Sequence, residues 1–272
     1  MKKPTTLKHK SGKISVISVC YNETDERIRC TFNSIISQDY SSVEFVVIDG
    51  GSRKDTLASL AFYRDRIDIF ISEPDNGLYD AMNKGIRLAT GDWIIFMNIG
   101  DSFHKTVTLS SIMNVENIDN ISLIFGSIIG SDNKHVSSPN RLSNNYLFNQ
   151  TICHQAILAR RNVFDETGLF DTSYQIIADR DWLLRFYRTG SSYIHLPITI
   201  CDSASGSVCS DYKKMDQEIR QYQLNNFTFL NRALYTSIWL LTRTYRRIKS
   251  CNLAVPVRLK DKYWYPISRP KR

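Results

Sequence analysis

The sequence predicts an α/β fold: a mostly parallel central sheet flanked by helices, with a basic helical extension at the C-terminal end. Three observations lead there. Short β-branched apolar runs recur at residues 14–20, 43–48, 67–71 and 93–97, as expected of strands buried on both faces. The segments between them place apolar residues at helical spacing, and a repeated strand, helix, strand order implies right-handed crossovers into a parallel sheet. A chain of 272 residues is also long enough to give such a sheet a substantial core.

The first strand, ISVISVC, leads into Tyr21, Asn22, Glu23, Thr24 and Asp25, which are turn and N-cap residue types. The segment to Ile36 then puts Ile28, Phe32, Ile35 and Ile36 on one helical face. The second strand ends in Asp49-Gly50-Gly51-Ser52, and a helix over 55–64 precedes the third strand. The stretch that organises the rest is EPDNGLYDAMNKGIRLATGDWIIFMNIGD, from Glu73 to Asp101. It holds a turn at 74–77, an amphipathic run with Leu78, Met82, Ile86 and Leu88, a stop at Thr90-Gly91, and an apolar strand opening into Asn98-Ile99-Gly100-Asp101. Open α/β sheets bind ligands at the carboxyl ends of their strands. Asp101 is therefore a candidate metal or phosphate-site residue, with a solvated turn aspartate as the plainer alternative.

Further on, ISLIFGSII at 121–129 predicts a strand pair or one bulged strand, and 131–149 reads as a polar loop. A loop of that length is often functional or mobile. A last strand is expected at 198–200, followed by a glycine-containing loop with Ser205, Gly206 and Ser207. From 215 to 249 the pattern is amphipathic and helical, through Ile219, Tyr222, Phe227, Leu230, Leu234, Ile238 and Leu241. The expected organisation is a basic arm at 1–13, a catalytic domain at 14–210 divided at residue 101, and a basic helical tail at 211–272.

Composition narrows the function. Six cysteines lie scattered without a Cys-x-x-Cys pair, which favours reduced structural thiols over zinc. No Gly-x-Gly-x-x-Gly or phosphate-cradling lysine loop occurs, so dinucleotide binding and ATP hydrolysis are disfavoured. The net charge of +8 is uneven: from Arg232 onward eleven Lys or Arg face one acid, Asp261, whereas the chain before it holds 24 basic and 26 acidic residues. Arg243, Arg246, Arg247 and Lys249, then Tyr263, Trp264 and Tyr265, mix charge with aromatic side chains. That mixture suits an anionic membrane surface, with a helix packed on the core as the alternative. Nucleic acid is not expected, since no recognition motif accompanies the charge. With no signal-peptide pattern and no run long enough to span a bilayer, the expectation is a cytoplasmic protein, at most peripheral at the inner face of the cell membrane.

EPDNGLYDAMNKGI followed by TGDWIIFMNIGD resembles the middle of family 2 glycosyltransferases, particularly bacterial enzymes that build surface polysaccharides. A second block, Ile152-Cys153-His154-Gln155-Ala156, then Arg160-Arg161 and GLFDTSYQIIADRDWLLRF, is similar to the acceptor half of the same enzymes. The resemblance covers about residues 14 to 205. It implies a GT-A-type nucleotide-sugar-binding fold and inverting transfer from a nucleoside-diphosphate sugar, UDP favoured, to a saccharide acceptor. A lipid-linked acceptor in O-antigen, capsule or exopolysaccharide synthesis is expected.

The resemblance also assigns residues. Cys20, Tyr21 and Glu23 fall in the first nucleotide-binding loop, with Tyr21 beside the base. Asp49 takes the place of a carboxylate that accepts from a uracil N–H, and an acceptor-only side chain is what an imide N–H requires; from the residues alone it is equally a helix cap. Asn83 and Asn98 join the donor contacts. Asp101 is the metal ligand, with Mn²⁺ or Mg²⁺ bridging it to the diphosphate. His154 and Gln155 contact acceptor or diphosphate, although a histidine after Ile-Cys is also a common core residue. Asp179, opening a helix, is the general base that takes the acceptor proton; Asp181, two residues on, points elsewhere. The chain departs from the family pattern in three places. The usual Asp-x-Asp reads Asn98 and Gly100, the acid after Ser52 is displaced to Asp55, and Ala178 stands where a Glu is usual.

Two rival readings follow from the same residues. A sugar-phosphate nucleotidyltransferase shares a related sheet but is expected to carry a Gly-rich loop with Arg and Lys, which residues 19–22 lack. A non-catalytic carbohydrate-binding or scaffold protein is suggested by the altered Asp-x-Asp.

Overall fold

The computed structural model describes residues 12–203 and 211–250. The first half of the sheet is parallel. β1 (Ile14–Cys20) pairs with β2 (Val43–Asp49) on one side and β4 (Trp93–Phe96) on the other, and β2 pairs with β3 (Ile69–Ser72). The crossovers are α1 (Asp25–Ile36), α2 (Lys54–Ala61) and α3 (Leu78–Leu88). Every residue of β1 and β4 is buried, which explains apolar runs without alternation. Thr24 caps α1 by accepting from the Arg27 amide, and Asp25 and Glu26 occupy its positive first turn. Gly85 lets α3 approach β1: a Cβ there would sit 2.5 Å from Ile17 Cγ2.

The second half of the sheet is mixed. The order is β3-β2-β1-β4-β8-β6-β9-β5. β8 (Ile157–Arg160) runs antiparallel to both β4 and β6 (Leu123–Ile129), and β9 (Tyr193–Asp202) is parallel to β6. The edge strand β5 (Ser102–Phe103) returns antiparallel to β9, so the chain just after Asp101 is pinned to the far side of the sheet. The run at 121–129 is one strand, whose register against β9 slips around Ser127.

Three expectations are corrected by packing. The stretch at 131–149 is not all loop: it contains β7 (His135–Val136), paired with β6, and a helix, Asn144–Asn149. With α4 (Thr108–Met113) before it, that helix is α5. Leu142, Tyr146, Leu147 and Phe148 are buried there, and the polar residues between them masked the pattern. The last strand begins at Tyr193, well before 198. Beyond α6 (Val163–Thr167) and α7 (Ala178–Thr189), the C-terminal helical run is two helices, α8 (Tyr212–Asn226) and α9 (Phe229–Ser250). They break at Phe227, which is extended and buried, with its ring edge-on to Phe148 at 5.2 Å. α8 is also packed on the domain, with Tyr222 fully buried.

Cys20, Cys30, Cys153 and Cys201 are free thiols, and burial pushes Cys20 and Cys153 up to about 12, which keeps both inert. Among the described residues no helix is long and apolar enough to cross a membrane. Residues 1–11 of the basic arm, Ser205, Gly206 and Ser207, Cys209, and everything from Cys251 on lie outside the described residues, as do the side chains of Arg243, Arg246, Arg247 and Lys249.

Candidate active site

Because β1, β2 and β4 are parallel, their carboxyl ends share one edge, and Cys20 pairs in register with Asp49. Asp49 is 0% exposed. Its Oδ2 accepts from the amides of Gly51 (3.2 Å) and Ser52 (3.0 Å) and from Ser72 Oγ (2.7 Å). Its Oδ1 has no partner among the described residues. Asp49 therefore builds the Gly50–Ser52 loop and does not cap α2, whose N-cap is Arg53.

The loop after β1 is tied to it. Ser52 Oγ accepts from the Asn22 amide at 2.8 Å, and Asn22 Oδ1 accepts from the Arg53 amide at 2.9 Å. Tyr21, 63% exposed, stands beside Gly50. Cys20, expected among the donor contacts, is a packed thiol that acts through its carbonyl, which accepts from Gly50. Glu23, also expected there, pairs with Arg27 at 2.7 Å.

Arg27 escaped the sequence reading. Its Nη2 donates to the Ile99 carbonyl at 3.0 Å, and a Cβ at Gly100, where φ is +101°, would lie 2.3 Å from that nitrogen. A guanidinium thus fills the side-chain space of the motif's second acid.

Beyond β4, Asp101 is 2% exposed. Gln155 Nε2 donates to its Oδ2 at 2.7 Å and Ser203 Oγ to its Oδ1 at 3.1 Å. Thr31 Oγ1 donates to the Asp101 carbonyl and accepts from the Gly100 amide. His154, next to Gln155 in a 3-10 turn, places Nδ1 3.4 Å from Asp179 Oδ2 and Nε2 2.9 Å from the Asn98 amide nitrogen. With Asn98 donating, Nε2 accepts and the imidazole proton lies on Nδ1, facing Asp179. Asn98 at the motif's first position therefore serves His154, while its Oδ1 has no partner among the described residues.

Asp179 lies in the first turn of α7. It is not the N-cap, which is Ile177. Its Oδ1 accepts from the Arg180 amide at 2.8 Å, and Tyr79 Oη lies 3.3 Å from the same oxygen while donating to the Ile176 carbonyl at 2.8 Å. Asp181 turns away and pairs with Arg185 at 2.8 Å. Asn83, expected as a donor contact, is buried with both ends of its amide on the Phe170 main chain. Its effect is indirect, since Phe170 packs against Tyr79 and Phe96. Tyr79 and Ser203 gave no sequence signal, because their partners come from other elements.

No group of three or more His, Cys, Asp or Glu converges among the described residues. Both oxygens of Asp101 already take neutral donors, and the guanidinium of Arg27 fills the place of the second acid.

A half-parallel α/β sheet with two buried acids behind its strand-end loops is the GT-A-like fold of glycosyltransferases. Solved structures agree on the fold: TarS of S. aureus, residues 1–349 in complex with UDP-GlcNAc, aligns with a TM-score of 0.61 at 18% identity, covering 89% of this chain and 76% of that one. The mannosyltransferase PcManGT of Pyrobaculum calidifontis, in complex with GDP-Man and Mn²⁺, aligns at 0.58 and 16% identity, covering 88% and 84%. The chain belongs to glycosyl transferase family 2, whose sequence model matches residues 15–183. A PGL/p-HBAD biosynthesis glycosyltransferase of Mycobacterium bovis is 29% identical over 181 residues, 64% of this chain and 71% of the relative. An uncharacterized glycosyltransferase of Mycobacterium tuberculosis is 31% identical over 193 residues, 69% and 71%.

Proposed function

We propose that the protein is an inverting glycosyltransferase that moves a sugar from a nucleoside-diphosphate sugar, UDP-linked by preference, to a saccharide hydroxyl on a lipid-linked acceptor in bacterial surface-polysaccharide synthesis. The observation that carries this reading is the joining of Asp179 to Asp101 through the adjacent His154 and Gln155.

Asp179 takes the acceptor proton as the hydroxyl oxygen attacks the anomeric carbon. The bond to the diphosphate breaks as the new one forms, the nucleoside diphosphate leaves with the electron pair, and one displacement inverts the centre. The Nδ1–H of His154 holds one oxygen of the base and Tyr79 meets the other. Support for a uridine base is the unpartnered Oδ1 of Asp49 and the UDP-GlcNAc held by TarS; PcManGT holds GDP-Man, so a guanosine donor belongs in any screen. The support for Mn²⁺ or Mg²⁺ is the ion in that neighbour.

The reading places the enzyme in the cytoplasm, against the anionic inner face of the membrane. α9 exposes Phe229, Leu230, Leu234, Leu240 and Leu241, and the chain around and after it is strongly basic. The deciding experiment incubates the protein with a panel of nucleotide sugars and measures nucleoside diphosphate released. Release that disappears in Asp179→Asn supports the reading. Release of pyrophosphate from a nucleoside triphosphate and a sugar phosphate points to a nucleotidyltransferase, and no release from any donor rejects enzyme function of this kind.

A further inference from the structure

We propose that Glu218 is a positioning residue for Asp179, so that α8, beyond the family match that ends at residue 183, belongs to the catalytic machinery. Glu218 is 6% exposed. Its carboxylate accepts from three consecutive main-chain amides, Gln175 (2.9 Å), Ile176 (2.9 Å) and Ile177 (3.3 Å). These residues lead directly into α7, and Asp179 follows two positions later. Hydrogen bonds to a charged acceptor are about twice as strong as neutral ones, and three of them, donated to one buried carboxylate, fix a segment that lies outside any helix or strand.

The same segment is gripped from the opposite side. Tyr79 donates to the Ile176 carbonyl while meeting Asp179, so the Ile176 residue is held at its amide by α8 and at its carbonyl by α3. Arg180, next to the base, donates to the carbonyls of Leu147 and Phe148, and α8 reaches those same carbonyls through Tyr222 and Gln223. The first turn of α7 and the body of α8 are thereby referenced to one end of α5. A base displaced by about 1 Å loses on the order of 100-fold in rate, which makes this clasp consequential for turnover. Both carboxylate oxygens of Glu218 are taken up by the amides of residues 175–177.

The inference rests on Asp179 being the base, and the test separates the two. In the full chain, UDP affinity is measured by calorimetry, and kcat and KM are measured for the nucleotide sugar that the wild type hydrolyses. Glu218→Gln is expected to lose roughly 10- to 100-fold in kcat, with KM and UDP affinity within about two-fold of wild type. Glu44→Gln, at the amino ends of β1 and β2 and away from residues 175–177, is the stability control; it is expected to lower Tm and leave kcat within about two-fold. Wild-type kcat in Glu218→Gln overturns the inference, as does a kcat loss that Glu44→Gln reproduces at equal Tm. If Glu218→Gln does not fold, Glu218→Asp keeps the charge and shortens its reach, and unchanged kcat there overturns it equally. A wild type that turns over no donor defeats the reading of Asp179 itself, before any variant is compared.

Discussion

Gln155 donates to Asp101 at 2.7 Å, and its neighbour His154 faces Asp179 at 3.4 Å. One dipeptide therefore holds two acids that lie 78 positions apart in the chain, each through its own partner. A buried carboxylate that keeps a donor on each oxygen is ordered without an opposite charge.

Gln155→Leu removes the donor to Asp101 Oδ2, a hydrogen bond to a buried carboxylate. The expected loss is about 1–3 kcal/mol of stability, measured by urea unfolding, together with lower turnover.

Asp179→Asn keeps the shape of the first turn of α7 but cannot take a proton. Turnover is expected to fall by roughly 10²- to 10⁴-fold while UDP binding persists, since Asp49 and Tyr21 lie at the carboxyl ends of β2 and β1 and Asp179 on α7. Equal turnover in the variant would remove Asp179 from the chemistry.

Gly100→Asp recreates the family's second acid, yet its Cβ would meet Arg27 Nη2 at 2.3 Å in a backbone of φ +101°. Displacing Arg27 from Glu23 and Ile99 is expected to cost about 1–3 kcal/mol and to leave turnover no higher than wild type. Faster turnover in this variant would show that the guanidinium is dispensable there.

Glu44 ties Lys13, Ser15 and Thr90 together at the amino ends of β1 and β2. Burial pushes its carboxyl up, but the hydrogen bonds from Lys13, Ser15 and Thr90 outweigh this and hold it at about 2. A depressed carboxylate stabilises the fold fully above its ordinary value of 4.5, and that contribution is lost as pH falls through about 2. Discounted for solvent around Lys13, the contribution is about 1–2 kcal/mol. Glu44→Gln is expected to unfold at lower denaturant at pH 7, with a smaller difference from wild type at pH 3.

Vesicles containing anionic lipid are expected to retain the full chain and to release one ending at Asn231, which keeps α8 but removes most of α9 and the basic tail. Equal sedimentation of both chains would reject the membrane role.

The parallel half of the sheet was legible because burial on both faces writes itself as uninterrupted β-branched runs, and β1 was bounded correctly at both ends. α5 was not, since its buried Tyr146, Leu147 and Phe148 are flanked by three asparagines, Asn144, Asn145 and Asn149, and short-range polarity outweighed the aromatic residues. Asp101, His154, Gln155 and Asp179 were singled out by motif, and the structure groups them. Cys20, Glu23 and Asn83 were singled out in the same way, but their side chains serve packing, Arg27 and Phe170.

By itself the sequence determined the succession of strands and helices and the acids at their ends, because periodicity and turn chemistry act over a few neighbouring residues. Only the tertiary structure decided what each acid touches. Tyr79 meets Asp179 across 100 positions, and Glu218 grips Ile176 across 42. Such partners are chosen by which strand ends and helices the sheet brings together, where most buried polar groups find a mate.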